Sequence, residues 1–343
     1  MKRNFLLVLC VCLILCSQSN AQQLPHYTQY VLNTFILNPA VAGIENYTDI
    51  KLSHRNQWVG IDGAPVTTYF TIHAPLKKSD YDKATATGFH YSNENPRGQA
   101  YWQEYEKAEP HGGVGFTVLN DRTGPLNRFA ALGTYAYHLG IGPKTSLSAG
   151  ISAGIKNTTL NASMLKFETP GDAAVAGAGY LNKLKPELNL GVWLYSADYF
   201  IGLSAQNIIG TELNYSKNAT SDTIKHGKLV PHMFLTAGYK YFLDDDFTFL
   251  PSTLFKYIAG APFSFDVNAK VQYRDLLWGG ASFRYQDSWA VMVGINISNA
   301  VNIGYSYDIT TSQLNTVSNG SHEFIVGFTL GNRWGDWCPR NLW

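Results

Sequence analysis

Residues 263–274 read Phe263-Ser264-Phe265-Asp266-Val267-Asn268-Ala269-Lys270-Val271-Gln272-Tyr273-Arg274. Every odd position to 273 is apolar or aromatic, and every even position is polar. Successive side chains of an extended chain point to opposite faces, so the stretch predicts a strand with one greasy face and one wet face. The pattern recurs downstream. Trp289, Val291, Val293, Ile295 and Ile297 alternate with Ala290, Met292, Gly294, Asn296 and Ser298. Val301, Ile303, Tyr305, Tyr307 and Ile309 alternate with Asn302, Gly304, Ser306 and Asp308. Phe324, Val326, Phe328 and Leu330 stand opposite Glu323, Gly327 and Thr329, with Ile325 out of phase.

A soluble secreted β-sandwich binding module would also alternate, with its apolar face inward. Two details favour a transmembrane antiparallel β-barrel, with outer-membrane lipid against the apolar face. The segments run to about 10 residues, the length of a tilted membrane-crossing strand, against about 5–6 in soluble sheets. The opposite face carries Asp266, Lys270, Arg274, Arg284, Asp308 and Glu323, candidate lumen-lining residues that either pair across strands or line a solute path. Trp278, Trp289 and Tyr305 near strand ends fit interfacial aromatic girdles.

Reading outward from 263–274 predicts strands near 47–55, 66–74, 112–119, 128–139, 144–157, 187–197, 198–208, 230–242, 246–257, 263–274, 276–286, 288–297, 300–310 and 321–330. That is about 14 strands, even as a single-chain bacterial barrel requires. By parity the tight connections fall at the periplasmic end and the long ones, 158–186, 209–229 and 311–320, at the outer end. Residues 75–111 break the rule, because a long connection falls where a tight turn belongs, and 79–110 reads as an insertion or an extra hairpin. Pro251 inside a strand removes a ladder donor and suggests a bulge.

Composition agrees with this class. Charged residues are 15% of 343, aromatics 14%, and Lys+Arg 26 nearly balances Asp+Glu 25. Disorder and a nucleic-acid partner are therefore excluded. Lys2 and Arg3, the apolar run Phe5–Leu15 and Ser19-Asn20-Ala21 read as an export signal, residues 1–21, cleaved after Ala21. Three cysteines, Cys10, Cys12 and Cys16, leave with it. Cys338 alone remains, so neither an internal disulfide nor a thiolate metal site is expected. The order is then an N-terminal periplasmic segment 22–46, a barrel 47–330, and a tail 331–343, with both termini periplasmic.

No enzyme and no cofactor are expected. The histidines lack metal-ligand spacing. Gly142-Pro143-Lys144-Thr145 has proline where a phosphate loop needs glycine, and Gly177-Ala178-Gly179 lacks the third glycine of a dinucleotide fingerprint.

Two stretches carry a family resemblance. The first is His26-Tyr27-Thr28-Gln29-Tyr30 followed by Asn38-Pro39-Ala40-Val41-Ala42-Gly43. The second runs from Arg55-Asn56-Gln57-Trp58-Val59-Gly60-Ile61-Asp62-Gly63-Ala64-Pro65 to His73-Ala74-Pro75-Leu76. Further stretches follow in order: Asn120-Asp121, Tyr135-Ala136-Tyr137, Tyr305-Ser306-Tyr307-Asp308, Ser321-His322-Glu323 and Trp337-Cys338-Pro339-Arg340. Together they resemble the PorP/SprF outer-membrane proteins of the Bacteroidetes type IX secretion and gliding-motility machinery over nearly the whole mature chain; 79–110 departs from it. The resemblance implies a non-enzymatic 14-stranded barrel that anchors the periplasmic complex. Its implied partners are the periplasmic ring components, a peptidoglycan-binding lipoprotein, and the C-terminal domain of secreted surface adhesins.

Twelve motif residues are candidates for partner binding: Tyr27, Gln29, Tyr30, Asn38, Pro39, Gly43, Arg55, Gln57, Trp58, Gly60, Gly63 and Pro65. Asn38-Pro39-Ala40 to Gly43 is first a turn. The uncharged aromatic segment before it packs into the periplasmic mouth or docks a partner. Arg55 either bridges a lumen carboxylate, with Trp58 filling the barrel mouth, or the two anchor an interface. An outer-membrane diffusion or substrate channel with the same wall is the alternative function.

Overall fold

The computed structural model describes residues 27–77, 107–164, 180–210, 212–213, 227–228, 230–244, 246–259, 261–274, 276–298 and 300–331. The expectations for 1–21, Gly177-Ala178-Gly179, Cys338 and nearly all of 79–110 lie outside the described residues.

Among the described residues the chain forms seventeen strands, numbered in chain order, the long ones following the alternation of apolar and polar side chains. They are β1 Thr48–Asn56, β2 Val66–Leu76, β3 His111–Thr123, β4 Leu126–Gly140, β5 Ser146–Asn161, β6 Tyr180–Tyr195 and β7 Tyr199–Gln206. The short pieces β8 Glu212–Leu213 and β9 Gly227–Lys228 pair only with each other. Then come β10 His232–Tyr239, the short β11 Tyr241–Phe242, β12 Phe247–Ile258, β13 Ser264–Tyr273, β14 Leu277–Arg284, β15 Ser288–Ser298, β16 Val301–Thr310 and β17 Ser321–Leu330.

Fourteen of them, β1–β7, β10 and β12–β17, form one antiparallel ring. β1 pairs with β17 from Thr48↔Leu330 to Asn56↔His322, and β10 pairs with β12 from His232↔Ile258 to Gly238↔Ser252. Among the described residues the other sheet is the two-residue β8–β9 pairing, too short to cover an apolar face, so the two-sheet sandwich does not hold. No helix among the described residues is long and apolar enough to cross a membrane; the crossing elements are strands.

Burial follows the quoted pattern. Along 266–271 the side chains alternate buried and exposed, with Asp266, Asn268 and Lys270 buried and Val267, Ala269 and Val271 exposed. The buried face is therefore the polar one, as an apolar exterior set in lipid demands. Val291 is 56% exposed and Phe324 54%. The out-of-phase Ile325 points inward at 1% exposure; it packs beside Gly304, against which Leu32 of the N-terminal segment also lies.

Three local expectations are corrected. Trp278 is not part of a girdle: it is buried inside the barrel, over Gly294 and Gly304, while Trp289 and Tyr305 face outward. The indole fits there because those two neighbours lack a Cβ. Pro251 makes no bulge. β12 pairs with β13 in unbroken register through Pro251↔Ala269, and the missing N–H falls where the ladder is interrupted between β10 and β11. The register shift lies instead at Asn296/Ser298. Arg274 is the third. β13 ends at Tyr273, so Arg274 sits in the following turn and bonds Asp246 at 2.8 Å. It does not line the lumen, and Asp246 pushes its already high pKa further up.

Strand direction gives the barrel two ends. The connections 57–65, 124–125, 259–263, 285–287 and 311–320 share the loop end. The connections 141–145, 196–198, 274–276 and 299–300 share the turn end, where β1 begins and β17 finishes.

Candidate functional site

The interior is where the family-motif residues meet. Residues 27–47, expected at the mouth of the barrel, run inside it as a series of tight 3-10 turns: Gln29–Leu32, Thr34–Ile36 and Pro39–Val41. Their side chains join Trp193, Tyr195, Phe200, Phe234, Leu254 and Met292 of the wall in two buried apolar clusters among the described residues. This plug satisfies its own backbone against the wall, as buried amides must. Ser204 Oγ donates to Leu37 O at 2.7 Å, Gln206 Nε2 to Ile36 O at 2.9 Å, and Ser148 Oγ to Ala40 O at 2.7 Å.

At the turn end the motif Asn38 to Gly43 is seated on bare backbone. Asn38 caps the turn, its Oδ1 accepting from Ala40 N at 3.0 Å, and Pro39 takes the first helical position. Asn38 Nδ2 reaches out to Val192 O at 3.0 Å. The wall beneath is a track of glycines from three strands. A Cβ on Gly191 would stand 1.9 Å from Asn38 Oδ1, on Gly150 2.5 Å from Pro39, and on Gly113 1.9 Å from Ala42 O. Gly43 itself has φ +75°, a conformation glycine adopts without penalty. Three wall histidines hold its neighbourhood. Gly43 N donates to His73 Nδ1 at 3.3 Å, while Gly43 O and Ala42 O lie 3.1 Å from His111 Nε2 and 2.9 Å from His138 Nε2.

Toward the loop end an ionic latch holds the start of the plug. Arg55 on β1 is 2% exposed and donates to Asp308 on β16 at 2.6 Å and Glu323 on β17 at 3.2 Å. Thr28 completes it: its hydroxyl accepts from Arg55 at 3.0 Å and donates to Asp308 at 2.7 Å, and its amide donates to Glu323 at 2.8 Å. Gln29 N donates to the same Glu323 oxygen at 3.3 Å. Arg284 continues the chain of charges, bonding Asp266 at 3.3 Å and Asp287 at 3.0 Å. Lys270 lies 5.8 Å from the Trp278 ring. Tyr30 Oη accepts from Asn268 at 2.6 Å, and Tyr27 meets Tyr69 edge to face at 5.3 Å.

Above the latch, Gln57, Trp58, Gly60, Gly63 and Pro65 belong to one loop. Gln57 N donates to Pro65 O at 2.9 Å, and Trp58, at φ +51°, donates its amide to Ser321 Oγ at 3.1 Å. Val59 N donates to Gly320 O at 2.8 Å and Val59 O accepts from Asn319 N at 2.7 Å, across to the 311–320 loop, and Gly124 N donates to Gly63 O at 2.8 Å. The loop thus ties β16–β17 to β3–β4. Beneath it a vestibule of about 410 Å³ spans the mouth, bordered by Trp58, Asp121, Arg128, Lys256 and Asp287. The clefts continuing beside Tyr27 shrink to about 50 and 30 Å³, room for one or two waters.

The structure thus brings Tyr27, Gln29, Tyr30, Asn38, Pro39, Gly43 and Arg55 together with Asp266, Lys270, Arg284, Asp308 and Glu323 in one plugged lumen. Gln57 to Pro65 form its rim, and Arg274 stands apart. Sequence reasoning missed the glycine track, the three histidines and Thr28. Inward parity of Gly113, Gly150 and Gly191 is the signal that was there to find. Among the described residues no cluster of His, Cys, Asp and Glu is arranged to hold a metal ion.

The chain matches, over residues 19–328, the profile of a family described as type IX secretion system membrane protein PorP/SprF. No curated protein matches it. Solved structures similar to it include the CymD monoaromatic hydrocarbon channel, at 11% identity over 92% of this chain and 94% of that one, TM-score 0.48. The toluene transporter TbuX of Ralstonia pickettii is 11% identical over 87% of this chain and 92% of its own, TM-score 0.47. A Pseudomonas aeruginosa FadL homologue is 9% identical over 92% and 96%, TM-score 0.45.

Proposed function

The chain belongs to the PorP/SprF family of type IX secretion system membrane proteins, and from that membership we propose that it serves the machinery as a closed outer-membrane platform that anchors the periplasmic complex and retains secreted surface proteins. The observation that carries this reading is the filled lumen. A plug latched at Arg55 and seated on the Gly113–Gly150–Gly191 track leaves the ends of the barrel, rather than its bore, to meet partners. The turn end supports a docking role: the tips Ile141, Leu243 and Leu276 are 58%, 62% and 49% exposed. Apolar side chains at turn tips are what a periplasmic partner would cover.

Affinity purification of the tagged protein in mild detergent tests the reading. Co-elution of periplasmic ring components and a peptidoglycan-binding lipoprotein is the expected result, and recovery of no envelope-machine component would overturn it.

A second reading, a substrate channel, is favoured by the vestibule and the clefts below it. It requires the plug to move. Planar-bilayer recording separates the two, since a platform is electrically silent and a channel conducts steadily.

A further inference from the structure

We infer that the vestibule at the loop end binds the sugar headgroup of an amphiphile whose chains lie along the aromatic outer face of β12–β15. The proposal rests on the barrel standing in a membrane and not on the platform reading.

The cavity has a held, strained border. Every residue that borders its volume of about 410 Å³ is among the described ones. Small-molecule sites measure about 300–1,000 Å³, so the volume suits one ligand. Two border residues, Trp58 and Gln286, have φ of +51° and +59°. A residue with a Cβ enters that region at a cost, and such strain collects at ligand sites. Neighbouring bonds hold both residues there. Trp58 N donates to Ser321 Oγ at 3.1 Å. Beside Gln286, Tyr285 N donates to Phe265 O at 3.0 Å and Asp287 O accepts from Thr311 N at 2.9 Å.

The border chemistry chooses a sugar. It sets Arg128 and Lys256 against Asp121 and Asp287, with the amides of Gln57 and Gln286 between the two classes in character. An anionic headgroup would meet two carboxylates, and a quaternary ammonium would meet two cations. A polyhydroxylated ring suits the mixture, because each hydroxyl both donates and accepts. Trp58 adds an aromatic surface for the apolar side of such a ring.

The outer wall ties the sugar to a lipid. Phe263 and Tyr285 border the vestibule and are also 52% and 42% exposed. They belong to a cluster of outward rings at the loop end of β12–β15. Phe265 stacks on Tyr285 at 5.0 Å, Phe255 lies 5.9 Å from Phe263, and Phe283 lies 4.5 Å from Trp289. That face meets hydrocarbon. The wall is also low here: β13 and β14 have 10 and 8 residues, against 16 each for β5 and β6. One molecule therefore reaches the vestibule with its head while its chains stay against the rings.

The test uses the full chain in lauryldimethylamine oxide micelles, which carry no sugar. Digalactosyl diacylglycerol is the probe; phosphatidylcholine and phosphatidylglycerol with the same chains are its comparisons. Native mass spectrometry should show saturable retention of one digalactosyl lipid, at least tenfold tighter than either phospholipid. Trp58→Gly and Gln286→Gly should each weaken it at least tenfold while melting no lower than the parent, since glycine adopts positive φ freely. Phe263→Ser with Tyr285→Ser should weaken the lipid and leave free digalactose unaffected. Equal retention of the three lipids, or full affinity in Trp58→Gly, would overturn the proposal. Free digalactose binding as tightly as the lipid would overturn the membrane as the source of the sugar.

Discussion

Arg55 and Asp308 meet at 2.6 Å inside the barrel, both almost wholly buried, although 253 residues separate them in the chain. Glu323 and Thr28 complete the contact, so one guanidinium ties two wall strands to the start of the plug.

Replacing Arg55 with methionine leaves Glu323 a buried carboxylate without its counter-charge and Asp308 with only the longer contact to Arg284 at 3.9 Å. Removing one partner of such a pair costs about 3–5 kcal/mol. Thermal unfolding in detergent should shift down accordingly, and the plug should become sensitive to protease near Thr28. An unchanged melting curve would mean the latch holds nothing.

The glycine track makes a sharper case. A Cβ at Gly113 would stand 1.9 Å from Ala42 O, whereas one at Gly133, on the outer face, meets nothing closer than Ala153 O at 3.9 Å. Gly113→Val should expel Asn38–Gly43 from its seat and raise membrane conductance, while Gly133→Ala should match the parent protein. Equal behaviour of the two variants would refute the seating.

Trp278 and Trp289 provide a paired comparison. Trp278 is inward beside Gly294 and Trp289 is outward and 52% exposed. Trp278→Ala opens a cavity in the packed interior, a loss of about 3–5 kcal/mol. Trp289→Ala removes a lipid contact and should cost well under half of that. Urea unfolding of the two variants in the same detergent would show the order.

The lipid face is tested by substitution and by spectroscopy. Val293→Arg puts a charge on the hydrocarbon side and should destabilise by about 2–4 kcal/mol if it lies at the bilayer midplane. Nitroxides at Val267 and Asn268 should differ, the first relaxed by dissolved oxygen from the bilayer and the second shielded. Identical accessibility at both positions would contradict the barrel.

The wall was legible from residue order because its information is local. Each strand shows its two faces at neighbouring positions, so the alternation in 263–274 or 301–310 declares which side meets lipid, and counting such segments yields fourteen. The plug was not. Residues 27–47 have no periodicity, and their partners lie in strands far along the chain, such as Ser148, Val192 and Glu323. Only closure of the ring brings these to one axis. For the same reason Arg55 showed its need for a carboxylate without showing which one, and Trp278 looked like a girdle residue until Gly294 and Gly304 were found beneath it. Side-chain chemistry along one strand determined the lipid-facing surface; which residues fill the bore was decided by contacts that exist only after fourteen strands have joined.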